Sequence, residues 1–218
     1  AVGSGTPRHN LPAQWTTFVG RGRELTEVRG LFQRVRLVTL IGAGGCGKTR
    51  LALESAELLV ARFPEGVWLT ELAALSDGDL VPQAVAAAAR VPVTIGAPLP
   101  PLESLVADLR DRSILLVLDN CEHLINACAG LVAALLRDCP RLAVLATSRE
   151  PLGLTGETTV RVPSLSLPAQ EEVGGAALAA SASEAMRLFS ERAAAVSPGF
   201  AIGPENAEAV AQICCRLD

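Results

Sequence analysis

Apolar positions along this chain fall into two kinds of run that alternate with each other. Residues 37–41 (LVTLI), 114–118 (ILLVL) and 142–146 (LAVLA) are almost unbroken aliphatic stretches with no polar alternation. Runs of that kind read as strands of a parallel sheet covered on both faces. Residues 67–72 add another strand and 159–162 a short one. Residues 49–63 instead repeat apolar positions at helical spacing, with Leu51 and Leu58 on one line and Ala52, Ala56 and Leu59 on a second. Residues 79–90 and 102–110 also read as helices, and Leu124, Cys128, Leu131 and Leu135 stack at the same period with Ile125, Val132 and Leu136 beside them. Strands alternating with helices predict an α/β fold with right-handed crossovers.

The ends of the chain follow other patterns. Residues 1–17 are rich in proline and polar residues and read as a flexible lead, followed at Phe18 by a short apolar-Gly-Arg patch and a helix over residues 24–35. The proline-rich stretch 92–101 reads as a connector, and residues 168–182, with Gly174-Gly175 among alanines and serines, as a linker. Beyond it Ala185, Leu188, Phe189, Arg192 and Val196 mark one amphipathic helix, and Ala207, Val210, Ile213 and Leu217 a second. The expected division is therefore a lead (1–17), a core domain (18–167), a linker (168–182) and a helical appendage (183–218) cut in mid-domain.

Composition narrows the classes. With 19 basic and 23 acidic residues among 218, the net charge is −4, and 50% of the residues are hydrophobic. This excludes disorder as the main state. A sequence pI of about 5.3 lacks the basic footprint of a nucleic-acid-binding domain, so DNA is expected to be contacted only through other domains of a longer protein. No uncharged apolar run approaches the roughly 20 residues of a membrane helix, and a cytoplasmic location without membrane contact is expected. The 6 cysteines form no CxxC pair. Cys121, His123 and Cys128 lack a matching fourth metal ligand, and buried apolar thiols are the better reading.

The chemistry is concentrated in GAGGCGKT, residues 42–49, which fits GxxxxGK[ST] and lies between a predicted strand and a predicted helix. Gly42, Gly44, Gly45, Cys46 and Gly47 let successive backbone N–H groups converge on phosphate oxygens, and the helix beginning at Lys48 adds its positive end. Lys48 supplies a cation for the β/γ phosphates, Thr49 offers a hydroxyl to Mg²⁺, and Arg50 adjoins them. Such a loop calls for a carboxylate opposite the hydroxyl to hold Mg²⁺, at the end of another buried strand; ILLVLD supplies Asp119 for that role, and capping of the following helix is a second reading compatible with it. The next position, where many P-loop ATPases carry a second acid, is Asn120, which cannot act as a base. Two readings stand for Glu122: the water-orienting acid, or a helix-start glutamate placed on the dipole. Two also stand for Arg149, at the end of the strand before Thr147-Ser148-Arg149-Glu150: a cation reaching the γ-phosphate, or a surface partner of Glu150.

Taken together, FVGRGREL (18–25), RLVTLIGAGGCGKTRLAL (36–53), LLVLDNCEHL (115–124), LAVLATSREPLG (142–153) and AMRLFSERAAAVSPGF (185–200) resemble the STAND class of signalling NTPases. The likeness is to the NB-ARC-like ATPase domain of bacterial transcriptional regulators of the AfsR/SARP and large LuxR type. It implies a P-loop NTPase three-layer sandwich with a five-stranded parallel sheet, followed by a helical lid. It also implies that Val19 and Arg21 help hold adenine and ribose, that Lys48, Thr49 and Asp119 act as assigned, and that Arg149 is a sensor arginine. Two departures are Gly22, where such domains often carry a charge, and an end at Asp218 before the Gly-Leu-Pro segment that usually follows.

The functional expectation is an ATP- or ADP-binding regulatory switch with weak Mg²⁺-dependent hydrolysis, within a multidomain regulator that self-associates on activation. The competing expectation is an interaction module stabilised by a structural ADP and without meaningful turnover. A small-molecule kinase is disfavoured by the proline-rich connector and by the lack of an Arg-rich lid.

Overall fold

The computed structural model describes residues 8–91, 101–167 and 183–217. Residues 92–100 of the expected connector and the whole expected linker, 168–182, lie outside them. The described residues divide into two units: the first holds residues up to 13 and Arg23–Val162, the second Gln14–Gly22 and Pro163–Asp218. The residues of the Phe18 patch up to Gly22, and residues 163–167, thus group with the carboxyl-terminal helices rather than with the core domain predicted for them.

In the first unit the three aliphatic runs and the two further stretches form five parallel strands: β1 (Leu37–Ile41), β2 (Val67–Glu71), β3 (Leu115–Asp119), β4 (Ala143–Ser148) and β5 (Thr158–Arg161), in the order β2-β3-β4-β1-β5. Every residue of β3 and β4 is buried, as the absence of polar alternation requires. Leu116 and Leu118 of β3 and Val144 and Ala146 of β4 pack with α3 (Val81–Ala88), α4 (Pro101–Leu109) and α5 (Ile125–Asp138), through Val85, Leu105, Leu109, Leu131 and Leu135. The alternate strand residues point to the opposite face. There α2 (Lys48–Leu59), which lies against β1, β3 and β4, buries Leu51, Ala52, Ala56 and Leu59.

Several boundaries differ from expectation, each for a local reason. The helix predicted over 79–90 is a short 3-10 turn, Gly78–Leu80, followed by α3, because Pro82 is accommodated only in a first turn. A 3-10 turn, Cys121–Leu124, likewise precedes α5. The first helix, α1 (Gly22–Leu31), stops short of residue 35. Strand β4 extends past residue 146 to include Thr147 and Ser148, so Arg149 follows the strand directly. The lead also has structure: residues beside His9 run along the outer edge of β2, where Arg8 O accepts from Val67 N at 3.0 Å. Asn10 continues this pairing with its side chain, Oδ1 accepting from Leu69 N at 2.6 Å and Nδ2 donating to Leu69 O at 2.8 Å. That satisfies groups a sheet edge would otherwise leave open.

The second unit contains α6 (Glu184–Val196) and α7 (Ala207–Leu217). Ser183 caps α6 by accepting from Met186 N. Met186, Val210, Ala211 and Cys214 form its small core, with Phe189 and Phe200 edge to face at 6.1 Å between centroids. No described helix is long and apolar enough to cross a membrane.

Candidate functional site

In a parallel sheet the carboxyl ends of all strands open on one side, and ligands gather where the strand order reverses. Here β1 is that strand: the chain leaves it for β2 at the far edge, works back through β3 and β4, then crosses to β5 on its other flank. The carboxyl ends of the adjacent strands β3, β4 and β1 therefore carry Asp119, the Thr147–Arg149 segment and the glycine-rich loop side by side.

The loop's glycines answer to specific constraints. Gly45 and Gly47 have φ of 80° and 90°, a region that disfavours any side chain, and Gly47 immediately precedes α2. A Cβ on Gly42 would stand 2.7 Å from Val162 O and 2.9 Å from Cys46 Sγ. Lys48 is buried at the start of α2, its ammonium donating to Gly42 O at 3.0 Å and Ala43 O at 2.8 Å. The cation is thus held inside the loop that the glycines shape. Arg50, in the first turn of α2, pairs with Glu54 at 3.2 Å.

Thr49 Oγ1 donates to Asp119 Oδ1 at 2.8 Å. The same carboxylate oxygen accepts from Thr147 Oγ1 at 2.6 Å, and Thr147 Oγ1 in turn accepts from Asn120 N at 2.9 Å. Asn120, with φ of 69°, turns the chain sharply out of β3, so Asp119 faces the loop rather than capping the following helix through its side chain. A hydroxyl and a carboxylate joined in this way form a hard oxygen donor set of the kind Mg²⁺ takes, and the residues present fit that ion. Sequence reasoning passed over Thr147; the available signal was a hydroxyl residue at the end of a fully buried strand neighbouring the one that carries Asp119.

Glu122 and Arg149, predicted separately, are brought together: Arg149 Nε lies 3.2 Å from Glu122 Oε1. Of the two readings for Arg149, the surface pairing thus has Glu122 rather than Glu150 as its partner. His123 serves the backbone, its Nε2 lying 3.1 Å from Leu72 O and 2.8 Å from Leu75 O. Among the described residues no group of three His, Cys, Asp or Glu is arranged to hold a metal ion. Cys121 instead donates to Leu118 O, and its hydrogen bond with Cys128, together with burial, pushes its thiol well above the usual range.

Val19 and Arg21 lie in the second unit, apart from these residues in the division of the chain. Both are buried. Arg21 Nη2 donates to Pro163 O at 2.6 Å and Arg21 N to Glu184 Oε1 at 2.8 Å. The guanidinium organises its own unit; a Cβ on the preceding Gly20 would run into the Glu184 carboxylate.

Solved structures share this arrangement of elements. A signal transduction ATPase with numerous domains (STAND) and a tetratricopeptide repeat sensor, from Pyrococcus horikoshii, matches at a TM-score of 0.55 and 17% identity over 92% of this chain and 28% of its own. Cdc6p of Pyrobaculum aerophilum matches at 0.64 and 16% over 93% of this chain and 56% of its own. The fold is that of the P-loop ATPases. The ORC2 protein of Aeropyrum pernix, solved as ADPNP–ADP complexes, matches this P-loop ATPase fold at 0.58 and 13% over 93% of the chain and 70% of its own. By sequence, an uncharacterised protein of Mycobacterium tuberculosis is 43% identical over 97% of this chain and 50% of its own length. A candidate HTH-type transcriptional regulator of the same organism is 45% identical over 88% of this chain and 20% of its own. The chain thus spans half or less of the length of the curated relatives it matches. No family model matches it.

Proposed function

We propose that the chain is an ATP- or ADP-binding regulatory domain of a larger transcriptional regulator, with slow Mg²⁺-dependent hydrolysis. The observation that carries this reading is the convergence of Thr49 and Thr147 on one oxygen of Asp119 beside a loop whose own cation, Lys48, is buried in place. In this reading the loop N–H groups and Lys48 hold the phosphates, while Thr49 and Asp119 hold Mg²⁺. The ion, when bound, neutralises charge on the phosphate oxygens. The regulatory part of the proposal draws support from the 45%-identical relative, whose name assigns it to the HTH-type transcriptional regulators. The fold's likeness to a STAND protein agrees with it. Contact with DNA belongs, on this reading, to other domains, and self-association accompanies activation.

Slow turnover follows from the residue after Asp119. Asn120 accepts no proton, and Glu122 is engaged by Arg149. The same observation favours a second reading, a module in which ADP is structural. Phosphate release over hours in wild type and Asp119→Ala separates the two. Slow release in wild type, lost in the variant or with EDTA, supports the ATPase; no release above background from a protein that retains nucleotide supports the structural role.

A further inference from the structure

Two oppositely charged residues from different strand ends meet beside the glycine-rich loop. Arg149 leaves β4 and places Nε 3.2 Å from Glu122 Oε1, while its Nη2 stands 3.7 Å from where a Cβ on Gly44 would lie. The arginine therefore lies against the phosphate-binding loop with its charge already engaged. The partners are unequal, since the Arg149 side chain is 68% exposed and that of Glu122 is 17% exposed. Glu122 is set in the short turn directly after β3, and its Oε2 is buried with no hydrogen-bond partner among the described residues. One oxygen thus takes the single contact to Arg149 and the other takes none, so the pair lacks the bidentate fork that makes arginine–carboxylate pairs strong.

An anion arriving at the loop competes with this weak contact for an exposed, long and flexible cation. We propose that Glu122 is a specificity-determining residue: by holding Arg149 it lowers the affinity for a nucleoside triphosphate, whose terminal phosphate must take the arginine from it, and leaves that for a diphosphate unaffected. The pair then sets the ratio of triphosphate to diphosphate bound, which is the quantity a nucleotide-operated regulator responds to. This rests on the nucleotide-binding reading of the loop given above.

The test is calorimetric titration of ADP and of β,γ-imido-ATP, with Mg²⁺, into wild type, Glu122→Gln, Arg149→Ala and the double variant. An exposed ion pair contributes ~0.2–1 kcal/mol, so Glu122→Gln should tighten imido-ATP relative to ADP by up to about fivefold. Arg149→Ala should weaken imido-ATP selectively, and Glu122→Gln should have no selective effect in that background. A gain shared equally by ADP, a gain that persists without Arg149, or no gain overturns the proposal. Should Glu122→Gln fail to fold by circular dichroism, Glu122→Ala carries the same comparison. Failure of the underlying reading looks different: wild type binds neither nucleotide, or binds both as well after Lys48→Ala, and the proposal falls with it.

Discussion

Thr49 and Asp119 stand 70 positions apart in the chain and meet through a hydrogen bond of 2.8 Å. The first lies at the start of the helix after β1 and the second at the end of β3, two strands that are not neighbours, with β4 between them. The intervening strand supplies Thr147, which closes the arrangement on the same oxygen. Hydroxyls from both sides thus fix the orientation of one carboxylate before any ligand arrives. Preorganisation of that kind cuts the ordering cost of binding.

Thr147→Val removes one of those hydroxyls at nearly constant shape and also leaves Asn120 N without its acceptor. A buried polar group so abandoned costs about 1–3 kcal/mol. The variant is expected to unfold at lower urea concentration and to lose much of the Mg²⁺-dependent gain in ADP affinity, while Thr147→Ser retains it. Paired ADP titrations with Mg²⁺ and with EDTA measure the second effect. An unchanged Mg²⁺ dependence in Thr147→Val would remove the residue from the site.

Asn10→Ala tests whether the amino-terminal residues belong to the folded core. Two hydrogen bonds to Leu69 are lost, at about 0.5–1.5 kcal/mol each. Urea denaturation is expected to show a destabilisation of ~1–3 kcal/mol. Asn10→Asp should retain only the acceptor half of the pairing and fall between the two.

Gly42→Ala places a methyl group 2.7 Å from the backbone oxygen of Val162, which cannot move without disturbing the end of β5. Nucleotide affinity should drop by at least about tenfold, because the loop can no longer close on the phosphates. Gly44→Ala, whose new methyl meets nothing nearer than Arg149 Nη2 at 3.7 Å, should be far milder. Equal effects at the two positions would argue against the loop geometry described.

The thiols offer a chemical readout of the same surface. Cys215 is exposed and Cys46 half-buried, whereas Cys121, Cys128, Cys139 and Cys214 are buried. Burial also raises the pKa of Cys139, and the reactive species is the thiolate. Iodoacetamide should label Cys215 first and Cys46 more slowly, and the buried four only on unfolding. Saturating ADP should protect Cys46 and leave Cys215 unchanged, as peptide mass spectrometry would show.

How much of this was legible beforehand depended on whether the information was local. That Lys48, Thr49 and Asp119 come together was readable because a glycine-rich loop between strand and helix and a carboxylate ending a buried strand each have a signature within a few residues. The sheet was readable because β3 and β4 are apolar on both faces. Thr147 was missed because its role depends on the register between β3 and β4, where Leu118 lies opposite Ala146, and register is not written in either strand alone. The pairing of Arg149 with Glu122 was missed for the same reason, since the two are 27 residues apart and meet only through the placement of β3 beside β4. Residues 8–10 looked like a polar lead because an edge-pairing segment without apolar alternation carries no periodic signal.

The central claim, that this loop binds ATP or ADP through Lys48, is tested most directly by calorimetric titration of both nucleotides into nucleotide-free wild type and Lys48→Ala, with circular dichroism confirming that both are folded. Saturable binding to wild type and its loss, by a factor of about ten or more, in a folded Lys48→Ala is the predicted result. Undiminished affinity in the folded variant, or no binding to wild type, would contradict the account.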